Sequence, residues 1–165
     1  MGNINKGSET KKVLELIGSI AISEGVGALA AFFTKDAMED YMCLKLPSFS
    51  PPGWVFPVVW IILFLLMGIA EYLVYEKGPG RADVQKALFD YGAQLFFNFM
   101  WSAIFFAFNL RATAFFWILG LLGLIIATTV RFWRIDKRAG ILMLPYVLWV
   151  SFASVLNFYI WQMNK

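Results

Sequence analysis

The aromatic side chains beside the first long loop are the residues of this chain best suited to bind a ligand. The loop contains Pro47, Pro51 and Pro52 and runs directly into an apolar segment that carries Trp54 and Trp60. Indole rings bind flat apolar molecules by stacking, while a few polar groups orient the ligand. Tryptophan is also enriched at membrane–water interfaces, so anchoring in a bilayer is the alternative role. We predict a pocket for a flat apolar molecule near this loop.

Amide and carboxyl side chains within apolar segments form a second group of candidates. Gln94 and Asn98 are four residues apart, on one face of a predicted helix, and Asn157 lies in the last apolar segment. Such amides either hold helices together by hydrogen bonds or contact a carboxylate or carbonyl of a ligand. Glu24 lies in mid-segment, where an unpaired carboxylate is costly. We expect Glu24 to have a partner or a role in proton coupling or ligand orientation, and Glu71 to reach the membrane interface.

Several kinds of chemistry are excluded by composition. The chain has no histidine and one cysteine, Cys43. Imidazole acid/base catalysis, imidazole ligation of haem or zinc, an intramolecular disulfide and a cysteine metal cluster are therefore all excluded. We predict no metal site, no required cofactor and, with a net charge of only +3, no nucleic-acid partner.

Five apolar segments must position these residues. Hydrophobic residues make up 60% of the chain and charged residues 15%, which is typical of a membrane protein. A helix needs about 20 apolar residues to cross a bilayer. The sequence predicts an all-α integral membrane protein, with an N-terminal tail at residues 1–12 and a single five-transmembrane-helix bundle at residues 13–165. The predicted helices cover about 13–34, 54–75, 87–108, 112–130 and 139–163.

The connecting segments predict an orientation. Ten of the 14 lysines and arginines fall on the side that holds the N-terminus, the second loop and the fourth loop at 131–138. The positive-inside rule then places the N-terminus in the cytoplasm of a bacterial cell, with the proline-rich loop outside. The prolines stiffen the loop at 35–53, which we interpret as a lid over the pocket or as a cap that starts the second helix.

Two groups of small residues offer close helix packing or a dimer face. The first group, on the first helix, contains Gly25, Gly27, Ala28, Ala30 and Ala31, and the second contains Gly120, Gly123 and Ala127.

Four blocks along the chain, in this order and spacing, resemble one known family. They read PSFSPPGWVF at 47–56, YGAQLFFN at 91–98, ATT at 127–129 and PYVLWVSFA at 145–153. The chain resembles the TspO/translocator protein family, which includes the tryptophan-rich sensory proteins of bacteria and the peripheral benzodiazepine receptor of mitochondria. The resemblance covers residues 25–164, nearly the whole predicted membrane domain.

The resemblance implies a five-helix bundle, usually a homodimer, with a pocket near the first loop. Such pockets bind porphyrins and other apolar molecules, and some bacterial members promote light-dependent breakdown of protoporphyrin IX. We therefore expect a tetrapyrrole-binding sensor or regulator, with a transporter of porphyrins, sterols or other small apolar molecules as the alternative. Trp60 and Trp149 are the expected photochemical residues. The expected ligand contacts are Pro47, Pro51, Trp54, Phe56, Trp60, Gln94, Asn98, Trp101, Tyr146, Trp149, Phe152, Ala153 and Asn157.

Overall fold

The structure is a computed structural model that describes residues 2–35, 37, 41 and 43–165, with side chains from residue 7 onward. Every long element in these residues is a helix, which confirms the predicted all-α class. The helices are α1 (Gly2–Thr34), α2 (Val55–Tyr75), α3 (Ala82–Ser102), α4 (Arg111–Ile135) and α5 (Lys137–Met163), and a π-helical turn (Ala103–Ala107) continues α3.

Four of the five helices are long and apolar enough to cross a membrane. These stretches are Gly7–Thr34, Val55–Tyr75, Arg111–Ile135 and Lys137–Met163. The third predicted span, at about 87–108, is not among them. The α-helix there begins earlier, with the charged residues Asp83, Lys86 and Asp90 in its first half. Its most apolar part continues past Ser102 into the π turn.

Two helix boundaries differ from the predicted ones: the start of the first helix and the connection between the fourth and fifth helices. The first helix already includes residues from Gly2 onward, so it extends through the segment predicted as a tail. The connector predicted at 131–138 is reduced to Asp136, between the last residue of α4 and the first of α5. Hydropathy marks the part of a helix that lies in lipid, whereas lysine, glutamate and arginine continue the helix beyond it.

The helices form a ring in which α1 packs on α2, α2 on α5, α5 on α4, α4 on α3, and α3 again on α1. The core lies mainly among α2, α3, α4 and α5, and α1 is the least covered helix. Only Ser19, Ser23 and Ala30 are buried among the described side chains of α1. Large, fully buried side chains of the core include Met67, Val84, Ile118, Phe132 and Tyr146.

The two backbones of α1 and α2 meet at Gly68. A Cβ atom built on Gly68 would lie 2.6 Å from the Cα atom of Ile20. Small residues permit this kind of close approach in membrane bundles. One turn later, Glu71 turns inward, with Oε2 buried and unpartnered among the described residues. The Glu71 carboxyl is therefore directed toward the α1–α2 crossing, and its place at the membrane interface stays a prediction.

A carboxylate joins three helix ends on the side of the bundle where α2 ends. Asp136 accepts hydrogen bonds from the backbone N and the Nε of Arg138 at 2.9 and 3.2 Å. Its Oδ2 lies 2.9 Å from Arg138 Nη2 and 3.0 Å from Lys77 Nζ. The hydrogen bond from Arg138, followed by that from Lys77, holds the pKa of the Asp136 carboxyl well below its ordinary value, against the opposing effect of burial. Asp136 thus caps α5 and ties it to the end of α2.

We expect Asp136→Asn to lower the free energy of unfolding at pH 7 by about 1–3 kcal/mol. A carboxyl whose pKa is lowered by folding stabilises the fold above its unfolded pKa of about 3.9 and loses that effect as the pH falls toward the folded pKa. Thermal unfolding in detergent should therefore show a difference in stability between the two proteins at pH 7, and this difference should begin to shrink only as the pH falls below about 4.

The matched control is Asp83→Asn, because Asp83 forms an exposed pair with Arg81. Exposed pairs contribute about 0–1 kcal/mol, so this variant should unfold close to the wild type. Equal unfolding temperatures for Asp136→Asn and wild type at pH 7 would contradict the stabilising role of Asp136.

Candidate functional site

A cavity of about 580 Å³ lies between α1, α2 and α3, at the end of the bundle where the first loop enters α2. This volume is in the usual range for small-molecule sites. Most of the lining is apolar, and its polar or charged members are Glu24, Thr34, Lys35, Asn98 and Ser102. The remaining lining residues are Gly27, Ala28, Ala30, Ala31, Gly53, Trp54, Phe56, Pro57, Trp60, Ile61, Phe64, Trp101 and Phe106.

Two unlike walls line this cavity, and they meet where the Phe64 ring packs against the backbone of Gly27. On α1 the lining residues between Glu24 and Thr34 are the small residues Gly27, Ala28, Ala30 and Ala31, so this part of the wall has few protruding side chains. On α2 the opposite wall is aromatic, with Trp60 stacked on Phe64 at a ring-centroid distance of 5.5 Å and an interplanar angle of 30°. A smooth wall opposite stacked rings favours a flat apolar ligand.

A buried hydrogen-bond chain supports the α3 side of the cavity. Tyr146 donates to Gln94 Oε1 at 2.8 Å and accepts from Asn98 Nδ2 at 2.9 Å. All three residues are almost fully buried. Asn98 lines the cavity, whereas Gln94 and Tyr146 do not. Gln94 therefore holds α3 to α5, and Asn98 both joins these helices and faces the ligand space.

A second hydrogen-bond chain orients Trp101. Its Nε1 donates to Asn157 Oδ1 at 3.2 Å, and Asn157 Nδ2 donates to the carbonyl oxygen of Arg111 at 3.0 Å. The Trp101 ring also stacks on Phe105, with centroids 5.6 Å apart. Trp101 lines the cavity but Asn157 does not, so Asn157 positions the indole from α5.

Trp60 and Trp149 lie in different surroundings. Trp60 lines the cavity, with its ring edge-on to Tyr146 at 6.2 Å. Trp149 lies outside it, and its ring meets Phe56 edge-to-face at 5.9 Å. Because Phe56 lines the cavity, Trp149 contacts a residue of the lining rather than the ligand space itself.

Trp149 instead faces a second apolar groove, of about 440 Å³, between α2 and α5. Phe152 also lines this groove, and its ring lies 5.6 Å from that of Trp149. Ala153 is buried in the core and lines neither space. The remaining lining residues of the groove are Val59, Ile62, Leu63, Pro145 and Leu148.

The described part of the first loop is held against α5. The backbone N of Lys45 donates to Asn164 Oδ1 at 3.0 Å, and Asn164 Nδ2 donates back to the Lys45 carbonyl at 2.9 Å. Pro47 and Pro51 belong to this segment and do not line the cavity, to which the loop contributes only Lys35 and Gly53. Residues 36, 38–40 and 42 of the predicted lid lie outside the described residues, and the lid stays a prediction.

Sequence reasoning missed several lining residues. The small residues of α1 were expected to pack or to form a dimer face, but four of them line the cavity, and their helical spacing from Glu24 was the available signal. Phe64 lies one turn after Trp60 on α2. Phe106 lies in the π turn, where one wider turn changes the direction of the following side chains. Hydropathy patterns carry no signal for such a turn.

Comparison with known proteins agrees with this architecture. Residues 19–162 match the TspO/MBR family. The chain is 39% identical over 155 residues to the tryptophan-rich protein TspO of Chlorobaculum tepidum, which covers 93% of this chain and 98% of that protein. It is 37% identical to the tryptophan-rich sensory protein of Cereibacter sphaeroides, over 76% of this chain and 77% of that protein. It is 33% identical to the human translocator protein, over 88% and 87% of the two chains. The chain therefore belongs to the TspO/MBR family, and it is a multi-pass integral membrane protein.

Proposed function

We propose that this protein binds a tetrapyrrole such as protoporphyrin IX in the cavity between α1, α2 and α3, and that it acts as a sensor or regulator. The observation that supports this proposal is the pair of unlike walls, small residues on α1 and stacked rings on α2. A macrocycle that lies beyond the Gly27–Phe64 contact would place its flat faces against the other small residues of α1 and the Trp60 ring. Relatives named as sensory proteins favour the same function.

Charge at the mouth of the cavity suits the acidic substituents of such a ligand. Lys35 lies at the end of α1 and lines the cavity. Its ammonium group rests over the exposed ring of Phe32, 5.1 Å from the ring centroid. A carboxylate that reaches this end of the cavity would form a charge-assisted hydrogen bond with the Lys35 ammonium.

We further propose that light-dependent breakdown of the porphyrin begins at Trp60. In this step an electron passes from the indole to the light-excited macrocycle, so the indole is oxidised and the porphyrin is reduced. Trp60 lines the cavity, whereas an electron from Trp149 would have to pass the Phe56 ring. The two indoles should therefore contribute unequally.

The test is a protoporphyrin IX titration of purified protein, followed by tryptophan fluorescence in the dark and by porphyrin absorption under light. We expect saturable quenching and a light-dependent loss of the porphyrin band. Trp60→Phe should remove only part of the quenching, because Trp54 and Trp101 also line the cavity. It should slow the loss of the porphyrin at least about tenfold, which corresponds to about 1.4 kcal/mol of barrier. Trp149→Phe should have a smaller effect.

The control variant is Trp133→Phe, because Trp133 is exposed on α4 and lines neither apolar space. It should bind and degrade the porphyrin like the wild type. Saturable binding without protein-dependent loss of the porphyrin would leave a sensor and remove the photochemical step. Absence of saturable binding would reject the tetrapyrrole function.

Transport of porphyrins, sterols or other small apolar molecules is the second candidate function. It is favoured by the exposure of cavity-lining residues on α1 and α2, including Ala28, Ala31 and Ile61. A ligand can reach such a cavity sideways from lipid. Protein-dependent porphyrin efflux from preloaded vesicles would support transport, and efflux equal to that of empty vesicles would reject it.

We also propose that α3 and its π turn form the fifth membrane span, with the N-terminus in the bacterial cytoplasm. The ion pair between Asp90 and Arg131, at 2.6 Å, would compensate the charge that α3 carries toward the membrane. Labelling of single cysteines placed at residues 6 and 111, from either side of the membrane, tests the orientation; labelling of both from the same side would contradict it.

A homodimer is proposed from the family resemblance. A Cβ atom at Gly120 or Gly123 of α4 would meet nothing within 4 Å, so this small-residue surface faces outward. Light scattering of the purified protein in detergent tests the proposal, and a monomeric mass at all concentrations would contradict it.

A further inference from the structure

Glu24 is a carboxylate inside the cavity for which the described residues provide no partner. It lines the cavity on α1, is half-buried, and takes part in none of the hydrogen bonds or ion pairs among these residues. The amide of Asn98, on the opposite helix, already donates to Tyr146. The hydroxyl of Ser102 is directed at the Asn98 carbonyl, at 3.4 Å. Neither of these side chains hydrogen-bonds Glu24 in the structure.

The other charged residue of the cavity lining lies at the far end of the same helix face. Glu24 and Lys35 are eleven residues apart, which is three helical turns and about 16 Å along the axis. This separation is too long for a direct ion pair between the two side chains. The cavity therefore has an acidic pole inside and a basic pole at its mouth, with the small residues Gly27, Ala28 and Ala31 between them.

An apolar ligand that enters this cavity displaces water that hydrates the Glu24 carboxylate. Water can hydrogen-bond the carboxylate in the open cavity, and a ligand that displaces the water without replacing its hydrogen bonds loses affinity. A ligand that presents a nitrogen-bound hydrogen at this position replaces those bonds. Two flat ligands of equal shape should thus differ in affinity for this site, depending on whether they carry an N–H donor for Glu24.

We infer that Glu24 is a specificity-determining residue that selects metal-free tetrapyrroles, whose pyrrole N–H groups tilt out of the macrocycle plane toward its carboxylate, over metal complexes of the same macrocycle. The inference rests on the proposed tetrapyrrole function. A metal complex has lost the pyrrole hydrogens, so it would bury the carboxylate without a partner. In this orientation the carboxylate substituents of the ligand would point toward Lys35.

The experiment compares the affinities of protoporphyrin IX and its nickel(II) complex in the dark, by tryptophan quenching of the full-length protein in detergent. Nickel(II) suits square-planar coordination by four nitrogens, so the complex keeps the shape, removes the N–H groups and offers little axial affinity for a carboxylate. We expect the wild type to bind the metal-free ligand about tenfold more tightly, which is equivalent to about 1.4 kcal/mol.

Two substitutions test whether this preference belongs to Glu24. Glu24→Leu should bring the two dissociation constants within about twofold, mainly by weakening the metal-free ligand. Glu24→Gln keeps the shape and one acceptor oxygen but not the charge, so it should retain part of the preference. Glu9→Leu is the matched control, because Glu9 is exposed on α1 outside the cavity, and it should behave like the wild type.

The outcomes separate this inference from the proposed function. Equal affinities of the wild type for the two ligands, or an undiminished preference in Glu24→Leu, would overturn the role of Glu24 while tetrapyrrole binding stands. Failure of the wild type to bind either ligand saturably would reject the proposed function and the inference with it. Thermal unfolding of each variant confirms that the fold is retained.

Discussion

Ala31→Trp is expected to abolish protoporphyrin IX binding, with a loss of affinity of at least about a hundredfold, or about 2.7 kcal/mol. Ala31 lines the cavity from α1 and is exposed. An indole at this position would occupy the space between the smooth α1 wall and the stacked rings of Trp60 and Phe64. The fold should tolerate it, because Ala31 packs into no core. Quenching titrations measure the affinity, and thermal unfolding in detergent measures the stability.

Ala21→Trp provides the matched control for this prediction. Ala21 is an exposed alanine on the same helix and does not line the cavity. It should bind the porphyrin with unchanged affinity. If Ala31→Trp binds as tightly as Ala21→Trp, the ligand does not occupy the cavity between α1, α2 and α3, and the groove between α2 and α5 becomes the candidate site.

Gly68→Ala is expected to lower the free energy of unfolding by about 2–3 kcal/mol. The added methyl group would lie 2.6 Å from Ile20 Cα and 3.0 Å from the Ser19 carbonyl oxygen. Both are backbone atoms, so relief requires the whole of α1 to move away from α2. Since α1 forms one wall of the cavity, the same movement should weaken porphyrin binding. Thermal unfolding and quenching titrations on one preparation measure both effects.

Gly25→Ala isolates the effect of this contact from that of the glycine itself. A Cβ atom at Gly25 would meet nothing within 4 Å, and alanine favours helix over glycine by up to about 1 kcal/mol. Gly25→Ala should therefore be as stable as the wild type or more stable. Equal stability of the Gly68→Ala and Gly25→Ala proteins would show that α1 and α2 do not cross as closely as the structure has them.

Much of this fold follows from hydropathy, because membrane helices are apolar over a length set by the bilayer. The helical class, the number of long helices and their order were all predictable on that basis. Helix ends were not, since α1 and α4 continue as helices through lysines, glutamates and arginines. The π turn after Ser102 was also out of reach, because its wider turn depends on packing rather than on composition.

The aromatic half of the site was predictable and the α1 half was not. The segment from Trp54 to Trp60, at the start of α2, carries three aromatic rings beside the proline-rich loop, a pattern that is visible in the sequence. Gly27 and Ala31 have no functional groups, and their spacing suits close packing as well as it suits a cavity wall. The position of Trp149 outside the cavity depends on how α5 is rotated against α2, where its ring meets Phe56. The sequence does not specify this rotation, so it was not predictable.

Because α1 contributes few residues to the core, ligand preference can change without changes to the rest of the fold. The four other helices hold most of the buried side chains, while α1 packs mainly on α2 and contributes one smooth face to the cavity. Substitutions at the exposed positions of that face, such as Ala28 and Ala31, alter the depth and polarity of the cavity at little cost to folding. A different ligand preference can therefore arise through changes in one helix, and the position of Glu24 on this face is one at which such a change would act.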